Sequence, residues 1–92
     1  MVTSIILINT ERSKINEVAE KLAETNGITE AYSVSGGNFN IIAMARVPSN
    51  DELANLVTIE LAKIDAILKT ETLLAFKAYS RHDIEAMFQV GI

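Results

Sequence analysis

A pair of glycines, followed closely by an apolar run that ends at a proline, is the feature that most constrains this chain. Gly36 and Gly37 tolerate positive φ, which a two-residue hairpin turn requires. The apolar residues 41–47 are too few for a typical helix and stop before Pro48, so they predict a strand. Residues 28–35, rich in β-branched residues, predict the strand on the other side of the turn. The middle of the chain is therefore predicted to be a β-hairpin.

Each side of the hairpin carries one further strand and one amphipathic segment. Residues 2–9 contain four consecutive bulky aliphatic residues, a pattern typical of a strand that is buried on both faces. Residues 67–79 predict a long last strand. Their Leu, Ala, Glu and Lys residues also suit a helix, and we favour the strand because it completes a second β-α-β half.

Apolar residues at helical spacing predict two helices. Thr10 and Ser13 offer N-cap hydroxyls to the first helix, and Gly27 fits its C′ position. Ser49 and Glu52 have the spacing of a capping box at the start of the second helix. The two buried faces are marked by Ile15, Val18, Ala19, Leu22, Leu53, Leu56, Val57, Leu61 and Ile64.

The predicted element order is β-α-β-β-α-β, which is the α+β ferredoxin-like sandwich. Right-handed crossovers place both helices on one face of a four-stranded antiparallel sheet. The other face is predicted to be apolar and to pair with an identical sheet in a dimer. We expect residues 1–80 to form this domain and residues 81–92 to form a C-terminal tail with the spacing of a short helix.

Composition narrows the function. The chain has 92 residues, a net charge of −4 and only eight scattered Lys and Arg residues, which disfavours binding to nucleic acid. It contains no cysteine, and its lone His82 has no metal-ligand set around it, so we predict no metal and no cofactor. The apolar run within residues 1–9 is too short for a signal sequence or a membrane span, so we expect a cytoplasmic protein.

Three stretches of the chain carry a resemblance to a known family. They are Asn26-Gly27-Ile28, Gly36-Gly37-Asn38-Phe39-Asn40-Ile41-Ile42, and Asp65-Ala66-Ile67-Leu68-Lys69-Thr70-Glu71-Thr72-Leu73-Leu74. Their order and spacing resemble the ligand-sensing (RAM) domain of the Lrp/AsnC transcriptional regulators, over residues 2–79. The family commonly has Asp where this chain has Asn40, and Gly where it has Ala66.

The resemblance implies a non-enzymatic module that binds an amino acid or similar small effector. It also implies a homodimer that joins other dimers in a higher assembly, with full-length Lrp/AsnC regulators as further partners. Because the chain begins at the sensing domain's first strand, it resembles a stand-alone form without the DNA-binding domain. The ligand-binding residues so implied are Gly36, Gly37, Asn38, Phe39, Asn40, Thr70 and Thr72. The same residues also suit structural roles in turns, core and strands.

Other functions on the same fold lack their sequence signals. A small dimeric ferredoxin-like enzyme, of the monooxygenase or isomerase type, is the alternative, but no acid–base pair lies in the apolar segments and no catalytic residue is predicted. An acylphosphatase requires an arginine-bearing glycine loop after the first strand, and an amino-acid-binding ACT domain usually has Pro-Gly before its first helix. RNA recognition requires exposed aromatic residues on the central strands and a basic surface.

The net negative charge of the chain leads to a prediction about DNA binding. We expect the isolated chain to show no measurable binding to duplex DNA at physiological salt, because an acidic domain repels the phosphate backbone. A gel-shift titration against random and promoter DNA tests this. A sequence-specific shift that survives added salt would contradict it.

Overall fold

The computed structural model of the chain describes residues 1–79 and residue 81. Within them lie β1 (Val2–Thr10), α1 (Ile15–Glu24), β2 (Ile28–Ser33), β3 (Ile41–Val47), α2 (Asn50–Asn55) and β4 (Ile67–Leu74). A 3₁₀ turn, Arg12–Lys14, leads into α1, and α2 continues as a π-helical turn, Leu56–Glu60, and a 3₁₀ turn, Leu61–Lys63. The tail predicted over residues 81–92 lies outside the described residues, apart from Arg81.

The four strands form one antiparallel sheet in the order β2-β3-β1-β4, which confirms the predicted ferredoxin-like fold. β1 and β3 lie at the centre because each β-α-β crossover skips one position: β3 lies between β1 and β2, and β1 lies between β3 and β4. The core lies between one sheet face and the helices. It consists of Ile6, Ile8, Val18, Leu22, Ile28, Ile41, Ala43, Ala45, Val47, Leu53, Leu56 and Leu61.

The opposite sheet face is apolar in its middle and has no covering layer among the described residues. Ile5 pairs with Met44 on one side and with Leu73 on the other, so these three side chains share the face. Leu7 pairs with Ile42 in the next row, and all four residues of the two central strands are only half-buried. Together these two rows of residues form the apolar face that the sequence predicted.

Two strands end earlier than predicted. β2 ends at Ser33, and the hairpin connection is residues 34–40 rather than a two-residue turn. β4 ends at Leu74, which pairs with Ser4, and one further bond, from the Ala75 N–H to the Thr3 carbonyl, continues the pairing. β1 begins at Val2, so in this register it has no residue to pair with the end of the predicted strand at residues 77–79. The strand interpretation of this segment is thus correct over its first eight residues.

The first helix begins and ends without the predicted caps. The Thr10 side chain is buried at the end of β1, where its hydroxyl donates to the Glu11 carbonyl, and no side chain caps either the 3₁₀ turn or α1. α1 ends at a C-cap on Thr25, so Gly27 lies two residues beyond the cap, with φ of 96°. The Ser49 cap forms as predicted and accepts from the Glu52 N–H.

Asn40 attaches the connection between β2 and β3 to the end of β1. Its side-chain Oδ1 accepts from the Thr10 N–H at 3.0 Å, and its Nδ2 donates to the Thr10 carbonyl at 3.1 Å. Its own backbone N–H donates to the Ile8 carbonyl at 3.0 Å, and its carbonyl accepts from the Val34 N–H at 3.0 Å. Asn40 is therefore bonded on one side to β1 and on the other to Val34, and the five residues 35–39 between Val34 and Asn40 form the open part of the connection.

The two hydrogen bonds of the Asn40 amide are expected to stabilise the folded chain. Asn40→Ala removes both side-chain bonds to Thr10 and is expected to lower the free energy of unfolding by about 1–3 kcal/mol. Asn40→Asp is expected to be destabilised as well, because a carboxylate cannot donate to the Thr10 carbonyl. Asn38→Ala is the matched control, since the exposed Asn38 side chain makes no hydrogen bond to the described residues. Urea denaturation of the three variants measures the differences, and equal stability of Asn40→Ala and wild type would contradict the assigned role.

Candidate functional site

The connection of residues 34–40, here called the glycine loop, contains two exposed glycines with positive φ. Gly36 and Gly37 have φ of 94° and 74°, and a Cβ built on either would meet no atom within 4 Å. Their backbone N–H groups donate no hydrogen bond to the residues that the structure describes. Unpaired backbone N–H groups at such a turn can bind a carboxylate.

The other predicted residues of the glycine loop have different environments. Asn38 is exposed, Phe39 is half-buried, and Asn40 is half-buried with its side-chain amide bonded to Thr10. The amide of Asn40 is therefore held by the main chain of β1. Among the polar side chains of the loop, Asn38 and Ser35 are the exposed ones.

The two predicted threonines lie on β4, across β1 from the glycine loop. Thr70 pairs with Ile8 and Thr72 pairs with Ile6, so both threonines share the sheet face that carries the helices. Ile8 also pairs with Ile41, the residue after the loop. Two strand spacings, roughly 10 Å, thus separate the row of Thr70 from the end of the loop. Within one chain, the predicted residues 36–40 lie together in the glycine loop, and Thr70 and Thr72 lie apart from them on β4.

A polar cavity adjoins the glycine loop, and the sequence did not predict it. It has a volume of about 530 Å³ and lies between the segment that leads into α1 and the end of β2. We call it the Arg12 cup; its lining residues are Arg12, Ser13, Ile15, Asn16, Ser33, Val34 and Ser35. The sequence pattern predicts only a helix-capping role for Ser13. No local pattern shows that the residues after β1 lie beside Ser35, because the fold alone brings them together.

The apolar sheet face carries a tyrosine–carboxylate pair at its edge. The Tyr32 side chain is 49% exposed, pairs across the strands with Ile42, and its hydroxyl donates to the Glu30 carboxylate. That hydrogen bond, together with the negative charge of Glu30, raises the pKa of Tyr32 above its usual value. The tyrosine is therefore neutral at physiological pH. It contributes an aromatic ring to the apolar face, with its hydroxyl bonded to Glu30.

Two further features of the described residues bear on function. Among residues 1–79 and 81, no group of three or more His, Asp or Glu side chains is arranged to hold a metal ion. Over the same range, no helix combines the length and the apolarity that crossing a membrane requires. The lone His82 lies outside the described residues.

Two HTH-type transcriptional regulators are similar to this chain in sequence. An uncharacterized HTH-type transcriptional regulator of Pyrococcus furiosus is 35% identical over 71 residues, which cover 77% of this chain and 47% of that protein. The HTH-type regulator LrpA of Pyrococcus abyssi is 34% identical over 62 residues, covering 67% of this chain and 43% of the regulator. The chain thus spans less than half the length of these relatives.

Solved structures show the same relationship. TTHA0845 from Thermus thermophilus superposes with a TM-score of 0.80 at 34% identity, covering 88% of this chain and all of that one. Escherichia coli AsnC gives a TM-score of 0.78 at 26% identity, covering 86% of this chain and 53% of AsnC. The sequence also matches the family described as the Lrp/AsnC ligand binding domain over residues 3–84. The chain therefore belongs to the Lrp/AsnC ligand-binding domain family.

Proposed function

We propose that this chain binds a small carboxylate effector, an amino acid or similar compound, at the glycine loop, and that it does so as part of an oligomer. The observation that carries the proposal is the pair of unbonded N–H groups on Gly36 and Gly37, in a loop that Asn40 fixes to β1. Backbone amides held in one geometry bind a carboxylate without a further ordering cost. Family membership supports the same role.

The separation of the threonines supports a site that is built from more than one copy. Thr70 and Thr72 point to the helix side of an edge strand, where Thr72 is exposed and Thr70 is half-buried. A second subunit can bring its threonines to the glycine loop of the first, which one chain cannot do across β1. The five loop residues and the two threonines would then contact one effector between dimers.

The apolar sheet face supports a dimer. Burying a half-exposed Ile, Leu or Met side chain stabilises an assembly by roughly 1–2 kcal/mol, and the middle of the face offers several. Leu73 at the rim of this face is 44% exposed, and Tyr32 adds an aromatic ring. Charged residues at its margin, Glu71 and Arg46, fit the polar rim of an interface. We propose that two sheets pack face to face here.

We further propose that the chain acts without catalysis, in the cytoplasm, by modulating transcription through regulators of its own family. The residues that line the Arg12 cup beside the glycine loop include no acid–base pair, and two sequence relatives are transcriptional regulators. The enzyme alternative has no group of residues that favours it. Full-length regulators are the proposed partners, since they carry a domain with the same fold.

A ligand screen tests the effector proposal. The twenty amino acids and their 2-oxo acids are added singly, and the melting temperature is followed by thermal shift. A ligand present at a hundred times its Kd adds about 2.7 kcal/mol, which raises the melting temperature of a domain of this size by roughly 10 °C or more. At least one compound is expected to do so, and its effect should fall in Thr70→Val, which removes a hydroxyl and keeps the strand. The absence of a shift with every compound would overturn the proposal.

Light scattering tests the proposed dimer. The chain is expected to be a dimer or larger at micromolar concentration, and Ile42→Glu is expected to dissociate it because a charge would be buried in the interface. Ile59→Glu is the matched control: Ile59 is 49% exposed and lies in the helical layer, so this variant should assemble like wild type. A wild-type chain that is monomeric at this concentration would refute a sheet-face dimer.

A further inference from the structure

The Arg12 cup has the chemistry of an anion subsite. One cation, three hydroxyls and one amide line it, from Arg12, Ser13, Ser33, Ser35 and Asn16, and no carboxylate is among the lining residues. Guanidinium and hydroxyl groups donate hydrogen bonds that suit a carboxylate. Ser35 lines the cup and immediately precedes Gly36, so the cup and the unbonded amides of the glycine loop adjoin each other.

The charge of Arg12 is not neutralised by the described residues. Arg12 is exposed and forms no ion pair among residues 1–79 and 81, whereas Lys14 pairs with Glu17 at 3.5 Å and Lys63 pairs with Glu60 at 3.3 Å. The chain as a whole has twelve acidic and eight basic residues. A cup with a cation and no acid therefore stands out against the overall acidic balance, and its local field favours an anion.

The glycine loop has no negatively charged group to pair with an ammonium ion. Asn40 is neutral, and both polar atoms of its amide are bonded to Thr10. Asn38 and Ser35 are also neutral. The hydroxyls of Thr70 and Thr72 donate as readily as they accept, so they suit a carbonyl oxygen as well as an amine. Glu71 lies between the two threonines in sequence, but it pairs with Leu7 on the other sheet face.

From these observations we infer that the effector is a small organic dianion, such as a dicarboxylate, and not an amino acid that is recognised by its ammonium group. One carboxylate binds the N–H groups of Gly36 and Gly37. The second binds Arg12 and the serines of the Arg12 cup. This inference rests on the proposed function, because it identifies the class of compound that the same loop binds.

Four compounds test separately how the ammonium group and the second carboxylate of a ligand contribute to binding. L-Glutamate and 2-oxoglutarate differ in the ammonium group, and 2-oxopentanoate and L-norvaline repeat that difference without the second carboxylate. Calorimetric titration of the wild-type assembly is expected to give the tightest binding with 2-oxoglutarate. L-Glutamate should bind no more tightly than 2-oxoglutarate, and 2-oxopentanoate should bind about ten times more weakly, since a hydrogen bond to a charged group contributes at least that factor.

Variants locate the second carboxylate. Arg12→Gln is expected to weaken 2-oxoglutarate about tenfold and to leave 2-oxopentanoate unchanged, and Arg12→Lys should retain part of the affinity. Lys21→Gln is the matched control: it removes the same charge from an exposed position on α1 that does not line the Arg12 cup, so it should bind like wild type.

The outcomes separate this inference from the proposed function. Tighter binding of either amino acid than of its 2-oxo acid overturns the inference and leaves carboxylate binding at the glycine loop in place. Equal loss of affinity in Arg12→Gln and Lys21→Gln, or no loss in either, also overturns it. If none of these four compounds binds but a monocarboxylate in the thermal-shift screen does, the dianion is wrong and the proposed function stands. If nothing in the screen binds, both fail.

Discussion

The two hydrogen bonds between the Asn40 amide and the main chain of Thr10 determine the shape of the loop that follows β2. They attach the start of β3 to the end of β1 and hold Gly36 and Gly37 in a wide connection with unbonded N–H groups. The same bonds occupy the side chain at a position where the family commonly has Asp. In this chain Asn40 therefore has a structural role in the proposed site, and in our proposal the charge that recognises an effector comes from another residue. Arg12, which lines a cup together with Ser35 of the glycine loop, is the residue that we propose.

The layering of the sheet links that loop to the proposed assembly. The helices cover one face, so the other face keeps Ile5, Leu7, Ile42 and Met44 half-buried in the described chain. These residues lie on β1 and β3, the two strands that Asn40 joins. The glycine loop is thus attached to the strands that supply the middle of the apolar face. A ligand that orders the loop acts on the same two strands through which the proposed dimer forms.

Hydrophobic pattern and chain topology were sufficient to predict the fold and the apolar sheet face, because the unbroken aliphatic run of β1 supplies apolar residues to both faces of the sheet. The same run predicted burial on both faces, whereas burial alternates along β1 because only the helix side is covered among the described residues. The ends of elements were not predictable from local sequence. The predicted last strand is too long because β1, its partner, begins at Val2, and the connection before β3 is held by Asn40 bonds to Thr10, thirty residues away in the chain. The glycines were found because positive φ is a local requirement. The Arg12 cup was not, since its residues come from segments that only the folded chain brings together.

Titration of isotope-labelled protein with 2-oxoglutarate, followed by the amide resonances of its glycines in NMR spectra, tests most directly whether the glycine loop binds the effector. The account predicts that the Gly36 and Gly37 N–H resonances move in proportion to occupancy. Gly27 also has positive φ but lies at the opposite end of β2, so its resonance is an internal control that should stay in place. Movement at Gly27 with no change at Gly36 and Gly37 would contradict binding at the glycine loop.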